Sequence, residues 1–279
     1  MKSNQEEITG MGGRDGMGGR GGRGGEGSTN AIDRAFAMLE AIAERDHGLT
    51  NAELSRRLEI PKSSASYILR VLERRGYLRR DRESSRYHLG LRVLSLSRGV
   101  LNGIDVREMA LPVLRQLMEG THLTAHLAIL DHGEAVYVER VEAQSFVRIN
   151  TWIGRRMEVH TTAVGKALTA WLPEEELKAL LRVKGMRRHT TRTITVYPRL
   201  MQDLEQVRER GYAIDDEESD YGVRCVAAPI FDQNGQVVAA IGVTGTTMQN
   251  DLENLPAVAE MVKEAGRRVS QHLGWHPRR

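Results

Sequence analysis

The chain is 279 residues long and has one cysteine, Cys225. That scarcity excludes an intrachain disulfide and any cysteine-cluster metal site. The nine histidines show no HExxH or comparable ligand spacing, so neither a metal nor another cofactor is expected. No apolar run approaches the length of a membrane-spanning helix, and the N-terminus lacks the basic-then-apolar order of a secretory signal. The expected compartment is therefore the cytoplasm, with no membrane partner. What is present, 40% hydrophobic and 28% charged residues, is the composition of a globular protein. The length allows a small domain plus a larger one, each with its own core.

The most informative stretch, residues 49–90, reads LTNAELSRRLEIPKSSASYILRVLERRGYLRRDRESSRYHLG. Thr50 followed three residues later by Glu53 is a capping box, in which hydroxyl and carboxylate satisfy backbone N–H groups that a first helical turn leaves unpaired. A short helix is expected to start near Asn51 and to end by Ile60. Pro61 disfavours helix in the residue before it and is well placed to start a second helix. In that second helix Ala65, Ile68, Leu69 and Leu72 recur at the spacing of one buried face, and Gly76 supplies a left-handed stop.

Lys62, Ser63, Ser64, Ser66, Tyr67 and Arg70 then face outward. Small hydroxyls with a Tyr, a Lys and an Arg suit a helix in a major groove, because they reach base edges and phosphates without bulk. A solvated or protein-docking face is the alternative for the helix taken alone. Residues 77–80 and 86–89 read as short strands around a polar turn, a basic hairpin that places Arg82 and Arg86 beside the helix. Residues 50–90 hold ten Lys or Arg and five Asp or Glu, a net of +5 against +3 for the whole chain. The positive charge is concentrated where a phosphate-binding footprint is needed. The expectation is a winged helix-turn-helix over residues 30–90 that binds double-stranded DNA.

Residues 1–29 hold 11 of the 28 glycines and read as a disordered Gly/Arg-rich tail. A helix over about 31–45, with Ile32, Phe36, Leu39 and Ile42 on one face, is expected to complete a three-helix core. Residues 91–120 read as two helices broken near Gly103, the second with Met109, Val113, Leu114 and Leu117 as apolar positions, and together they form a helical linker. From residue 121 the period changes. Strand-like runs over 121–131 and 134–143 flank a turn, a short strand is expected at 146–150, and two more strands at 224–231 and 236–244 flank an Asn-Gly turn. Helical patterns occupy 163–171, 173–182 and 198–210. A final amphipathic helix carries Val258, Met261, Val262, Ala265 and Val269. The fold class is α+β in two domains, residues 121–279 forming an antiparallel sheet with packed helices.

The run GYAIDDEESDYGVRCVAAPIFD over residues 211–232 resembles the signature of the IclR family of bacterial transcription regulators, including Gly211, Asp215, Glu218, Cys225 and Asp232. PKSSASYILRVLERRGYL and HTTAVGKALTA are similar to that family's recognition helix and pocket helix, and the resemblance extends over about residues 30–275. It implies a winged helix-turn-helix joined to a GAF-like domain that binds a small organic acid. It also implies a homodimer or homotetramer on a palindromic operator. The effector-holding positions it carries over are Ala163, Val164, Asp215 and Cys225. Physical chemistry supports that set, since Ala163 and Val164 would open a helix whose unpaired N–H groups favour an anion without an arginine.

Two other functions remain open on sequence alone. His160, Cys225 and Asp215 are the residue types of a thiol enzyme, although no local spacing forms a nucleophile turn or an oriented base, and no enzyme is expected. A C-terminal domain that serves only oligomerisation is the other.

Overall fold

The computed structural model describes residues 31–101, 105–144 and 149–276, and the tail expected over 1–29 lies outside them. Its contacts divide the chain into two units, Met1–Leu96 and Ser97–Arg279.

The first unit contains α1 (Ala31–Ala43), α2 (Asn51–Arg57), α3 (Lys62–Arg74), β1 (Leu78–Arg80) and β2 (Tyr87–Leu89). The capping box forms in both directions: Thr50 Oγ1 accepts from the Glu53 amide at 3.2 Å, and Glu53 Oε2 accepts from the Thr50 amide at 2.7 Å. Pro61 stands at the N-cap of α3, where its missing N–H costs nothing. Ala65, Ile68, Leu69 and Leu72 of α3 join Met38, Ile42, Leu54 and Leu78 in one core. β1 and β2 pair antiparallel from Leu78↔Leu89 to Arg80↔Tyr87, forming the wing.

The buried face of α1 differs from the sequence expectation. Met38, Ala41 and Ile42 are buried, whereas Ile32 and Phe36 are 62% and 60% exposed. Two apolar stripes overlap on this helix, and the smaller residues rather than Phe36 fit under α3.

The second unit is built on a six-stranded antiparallel sheet in the order β5-β4-β3-β8-β7-β6. Its strands are β3 (Thr124–Asp131), β4 (Glu134–Val141), β5 (Arg156–Glu158), β6 (Ala213–Asp216), β7 (Val223–Phe231) and β8 (Val237–Thr246). Alternation along the strands sorts the side chains onto two faces. Leu127, Ile230 and Ile241 pack against α5 (Asp105–Thr121) and α9 (Leu255–His272). Ala128, Ala227 and Ala240 turn toward α6 (Ala163–Thr169), α7 (Glu174–Lys184) and α8 (Tyr197–Arg210). The second face is lined with small residues, so α6 lies close to it. At Gly242 even a Cβ would fall 2.5 Å from the Val226 carbonyl oxygen.

Residues 91–120 are not a linker throughout. α4 (Arg92–Leu101) begins in the first unit, but α5 belongs to the core of the second, because Val106, Ala110, Val113, Leu114 and Leu117 are buried in it. Met109 and Met261, expected inward, are 39% and 45% exposed, each at the margin of a stripe whose centre makes the contact. The strand expected at 146–150 falls partly outside the described residues, and Ile149 and Asn150 are not in a strand. The edge strand beside β4 is β5, whose charged ends hid it from pattern reading.

Candidate functional site

Two surfaces carry the residues singled out by sequence. On α3, Lys62, Ser63, Tyr67 and Arg70 are exposed, while Ser64 and Ser66 are half-buried. Arg34 of α1 reaches the Ser64 hydroxyl at 3.4 Å. Arg82 is exposed in the wing turn, which Asp81 organises by accepting from the Glu83 and Ser84 amides at 2.9 and 2.8 Å. Arg86 does something else. Its guanidinium meets both carboxylate oxygens of Glu53, at 3.0 and 3.1 Å, and the Gly48 carbonyl at 3.0 Å. A bidentate pair of this kind fixes geometry, so Arg86 clamps the wing to α2.

The second surface is a cavity of about 290 Å³ between α6 and the sheet. Sheet register builds its polar floor. Asp215 of β6 stands opposite Cys225 of β7, and Cys225 opposite Thr244 of β8, so the three side chains share one row and one face. Ala163 and Val164, the first residues of α6, line the wall above. Thr162 caps that helix by accepting from the Gly165 amide at 3.2 Å, and the first N–H groups of any helix lack intrahelical partners. Gly165 lets α6 start here, since a Cβ would sit 2.4 Å from Val159 Cα. All four residues expected at an effector site therefore face one cavity.

The cavity also holds residues that sequence reading missed: His126, Tyr137, Thr151 and Arg155. Arg155 donates to the Asn150 carbonyl and lies over the Trp152 ring, 5.2 Å from its centroid. A cation is thus present where an anion site without arginine was expected. His126 Nε2 lies 2.9 Å from Thr151 Oγ1, and its ring stacks on Tyr137 at 4.3 Å. Burial, helped by the charges of Arg140 and Arg155, pushes His126 down to about 3, leaving a neutral imidazole. The signal for Arg155 was too short-range to read, because the loop that carries it meets the pocket only through the fold.

Asp215 is fully buried. Burial pushes its carboxyl up to about 6, against the opposing pull of hydrogen bonds from Ser219 and Glu218 and the charge of Lys166. Those bonds are the Glu218 and Ser219 amides on Oδ1, at 2.8 and 3.2 Å, and the Ser219 hydroxyl on Oδ2 at 2.5 Å. Burial, followed by the Asp215 charge, also pushes the Cys225 thiol well above its ordinary value, which keeps it protonated. His160 is buried, and its Nε2 lies 3.0 Å from the Arg187 carbonyl. It does not line the cavity. His160, Cys225 and Asp215 are therefore not brought together as a catalytic trio.

Behind the wall, Lys166 is 1% exposed. Its Nζ reaches Glu218 Oε1 at 2.5 Å, Asp203 Oδ2 at 2.7 Å and the Ile214 carbonyl at 3.1 Å. Burial, countered by Lys166, pushes Glu218 up to about 7.

Comparison with known proteins places both units in one family. The family model described as the bacterial transcriptional regulator IclR C-terminal domain matches residues 98–271, and the IclR helix-turn-helix domain matches residues 31–82. The HTH-type transcriptional regulator XynR of Escherichia coli (strain K12) is 36% identical over 245 residues, covering 88% of this chain and 97% of XynR. The crystal structure of Thermotoga maritima IclR superposes with a TM-score of 0.73 at 31% identity, over 88% of this chain and 98% of that one. An IclR homologue from Microbacterium hydrocarbonoxydans, complexed with 4-hydroxybenzoate, shares the fold with a TM-score of 0.73 at 24% identity, over 88% and 99% of the two chains.

Proposed function

Because the chain belongs to the IclR family of bacterial transcriptional regulators, we propose that it reads an operator with α3 and the wing and that a small carboxylic acid in the cavity behind α6 modulates the binding. The observation that carries the effector half is the convergence of Ala163, Val164, Asp215 and Cys225 on one cavity of about 290 Å³, a volume suited to a small organic molecule. In this reading the carboxylate is held between the start of α6 and Arg155, and Asp215 accepts from a ligand hydroxyl. 4-Hydroxybenzoate, the compound complexed with the M. hydrocarbonoxydans homologue, combines those two groups.

On the DNA side, Lys62, Arg70 and Arg82 supply phosphate contacts, while Ser63, Ser64, Ser66 and Tyr67 approach base edges. The protein works as a homodimer or homotetramer on half-sites about one helical turn apart, or a multiple of that. Exposed Ile32, Phe36, Leu91 and Leu94 are apolar surface that an oligomer would cover. It acts in the cytoplasm; among the described residues no helix is long and apolar enough to cross a membrane. The relatives are named as regulators, and the neutral Cys225 thiol supports assigning the second unit, of GAF-like architecture, to binding rather than turnover.

The test is a thermal-shift screen of aliphatic and aromatic carboxylic acids, 4-hydroxybenzoate among them, on the wild-type chain and on Asp215→Ala. A ligand that binds the folded state must stabilise it. A shift in the wild type that Asp215→Ala abolishes supports the reading. A second arm measures operator affinity at saturating acid, since coupling requires each ligand to alter the other's affinity by the same factor. No change there would refute modulation.

A further inference from the structure

We propose that Lys166 is the positioning residue of the effector pocket, a single ammonium that ties the helix carrying Ala163 and Val164 to the segment carrying Asp215. The inference rests on reading the cavity as an effector site.

An ammonium has three donors and no acceptor, and Lys166 meets three different parts of the fold. It donates to the Glu218 side chain after β6 and to the Ile214 carbonyl within β6, and it pairs by charge with Asp203 of α8 at 2.7 Å. Lys166 itself stands on α6, two residues after Val164. Both chain neighbours of the Asp215 cradle are therefore held from α6: the carbonyl immediately before Asp215, and the side chain of the residue whose amide caps Asp215 Oδ1 at 2.8 Å. Thr190 and Thr193 hold the same segment from its other side, donating to the Glu217 and Glu218 carbonyls at 2.6 and 2.7 Å.

A methionine would fill the Lys166 site without burying a charge, and apolar replacement of buried ion pairs is often neutral or stabilising. A group retained at that desolvation cost is accounted for here by geometry. With the ammonium gone, the tie from α6 to the Glu218 side chain and to the Ile214 carbonyl is cut, and the Glu218 carboxyl, already raised by burial, takes up a proton rather than staying charged. The untied Glu218 backbone then swings away, and the two amide bonds to Asp215 are lost. The same tie accounts for Glu218 in the signature run, although Glu218 does not line the cavity.

Hydrogen exchange of the full chain, followed residue by residue, tests this without a known effector. In Lys166→Met the Glu218 and Ser219 amides should lose protection by about tenfold or more, while β8 and α9 keep wild-type protection. In Asp203→Asn, where Lys166 retains Glu218 and Ile214, those two amides should stay protected. Unchanged protection in Lys166→Met, or a loss shared equally with β8 and α9, overturns the proposal in favour of no role or a general structural one. If Lys166→Met does not fold, Glu218→Ala takes its place: it removes the side chain that Lys166 holds. A selective loss at residues 218 and 219 supports the tie, and none overturns it. A wild-type chain stabilised by no carboxylic acid would instead refute the effector reading, and the exchange pattern would still decide the role of Lys166.

Discussion

Replacing Asp215 with Asn should flatten the dependence of stability on pH. The carboxyl is fully buried and is raised from its ordinary 3.8 to about 6. Between those values the folded chain keeps a proton that the unfolded chain has released. Its contribution to stability is therefore complete below about pH 4 and is lost as pH rises through about 6. The difference of about two pH units corresponds to ~3 kcal/mol, lost at up to ~1.4 kcal/mol per pH unit. Asparagine preserves the acceptor for the Glu218 and Ser219 amides and can reverse its bond to the Ser219 hydroxyl, so packing is little disturbed. Trp152, Trp171 and Trp275, the three tryptophans of the chain, all lie in the second unit, and their fluorescence follows its unfolding alone. Urea titrations from pH 4.5 to 7.5 should show the wild type losing stability relative to Asp215→Asn as pH rises. Glu218, also raised, titrates in both chains and largely cancels from the difference. Parallel curves would refute the reasoning, because they would mean that Asp215 is as well solvated as in the unfolded chain.

Lys62→Ala and Arg70→Ala should each lower the slope of log operator affinity against log salt by about one, whereas Tyr67→Ala should change sequence preference at one position of each half-site. A binding-site selection that returns the same sequence for Tyr67→Ala would exclude it from base reading. Arg86→Ala should leave the salt slope unchanged and instead accelerate hydrogen exchange at the start of α2, where Glu53 loses its partner; a slope lower by one would restore Arg86 to the DNA contacts. Gly165→Ala should destabilise the second unit by ~1–3 kcal/mol through overpacking against Val159, read from the same tryptophan transition.

The sequence reached furthest where an element is specified by its own neighbours. The Thr50–Glu53 box, Pro61 and the stripe from Ala65 to Leu72 are local signals, and the structure has each in place. Register brought Asp215 and Cys225 together as the signature run implied. What pattern could not supply was partner choice across the fold. Arg86 looks like any basic wing residue until Glu53 is found beside it. Arg155 and His126 enter the cavity from a loop and a strand whose own periodicity says only that one is exposed and the other inward. Ile32 and Phe36 fit an amphipathic stripe as well as Met38 and Ala41 do, and only packing volume decides between the two sets. The membership of α5 in the second core was equally hidden, since an amphipathic helix does not name the surface it covers.

The clamp at Glu53 has a mechanical consequence. One carboxylate caps α2, and through Arg86 it grips the wing while a carbonyl of the preceding turn is held by the same guanidinium. The helix pair and the hairpin therefore behave as one stiff reading head, with little internal play from which a signal could draw. An effector cannot retune such a head by bending the wing against the helix. In the proposed oligomer it would act by changing where whole heads are carried, so regulation should appear as a changed tolerance for half-site spacing rather than as a changed preference for bases within a half-site.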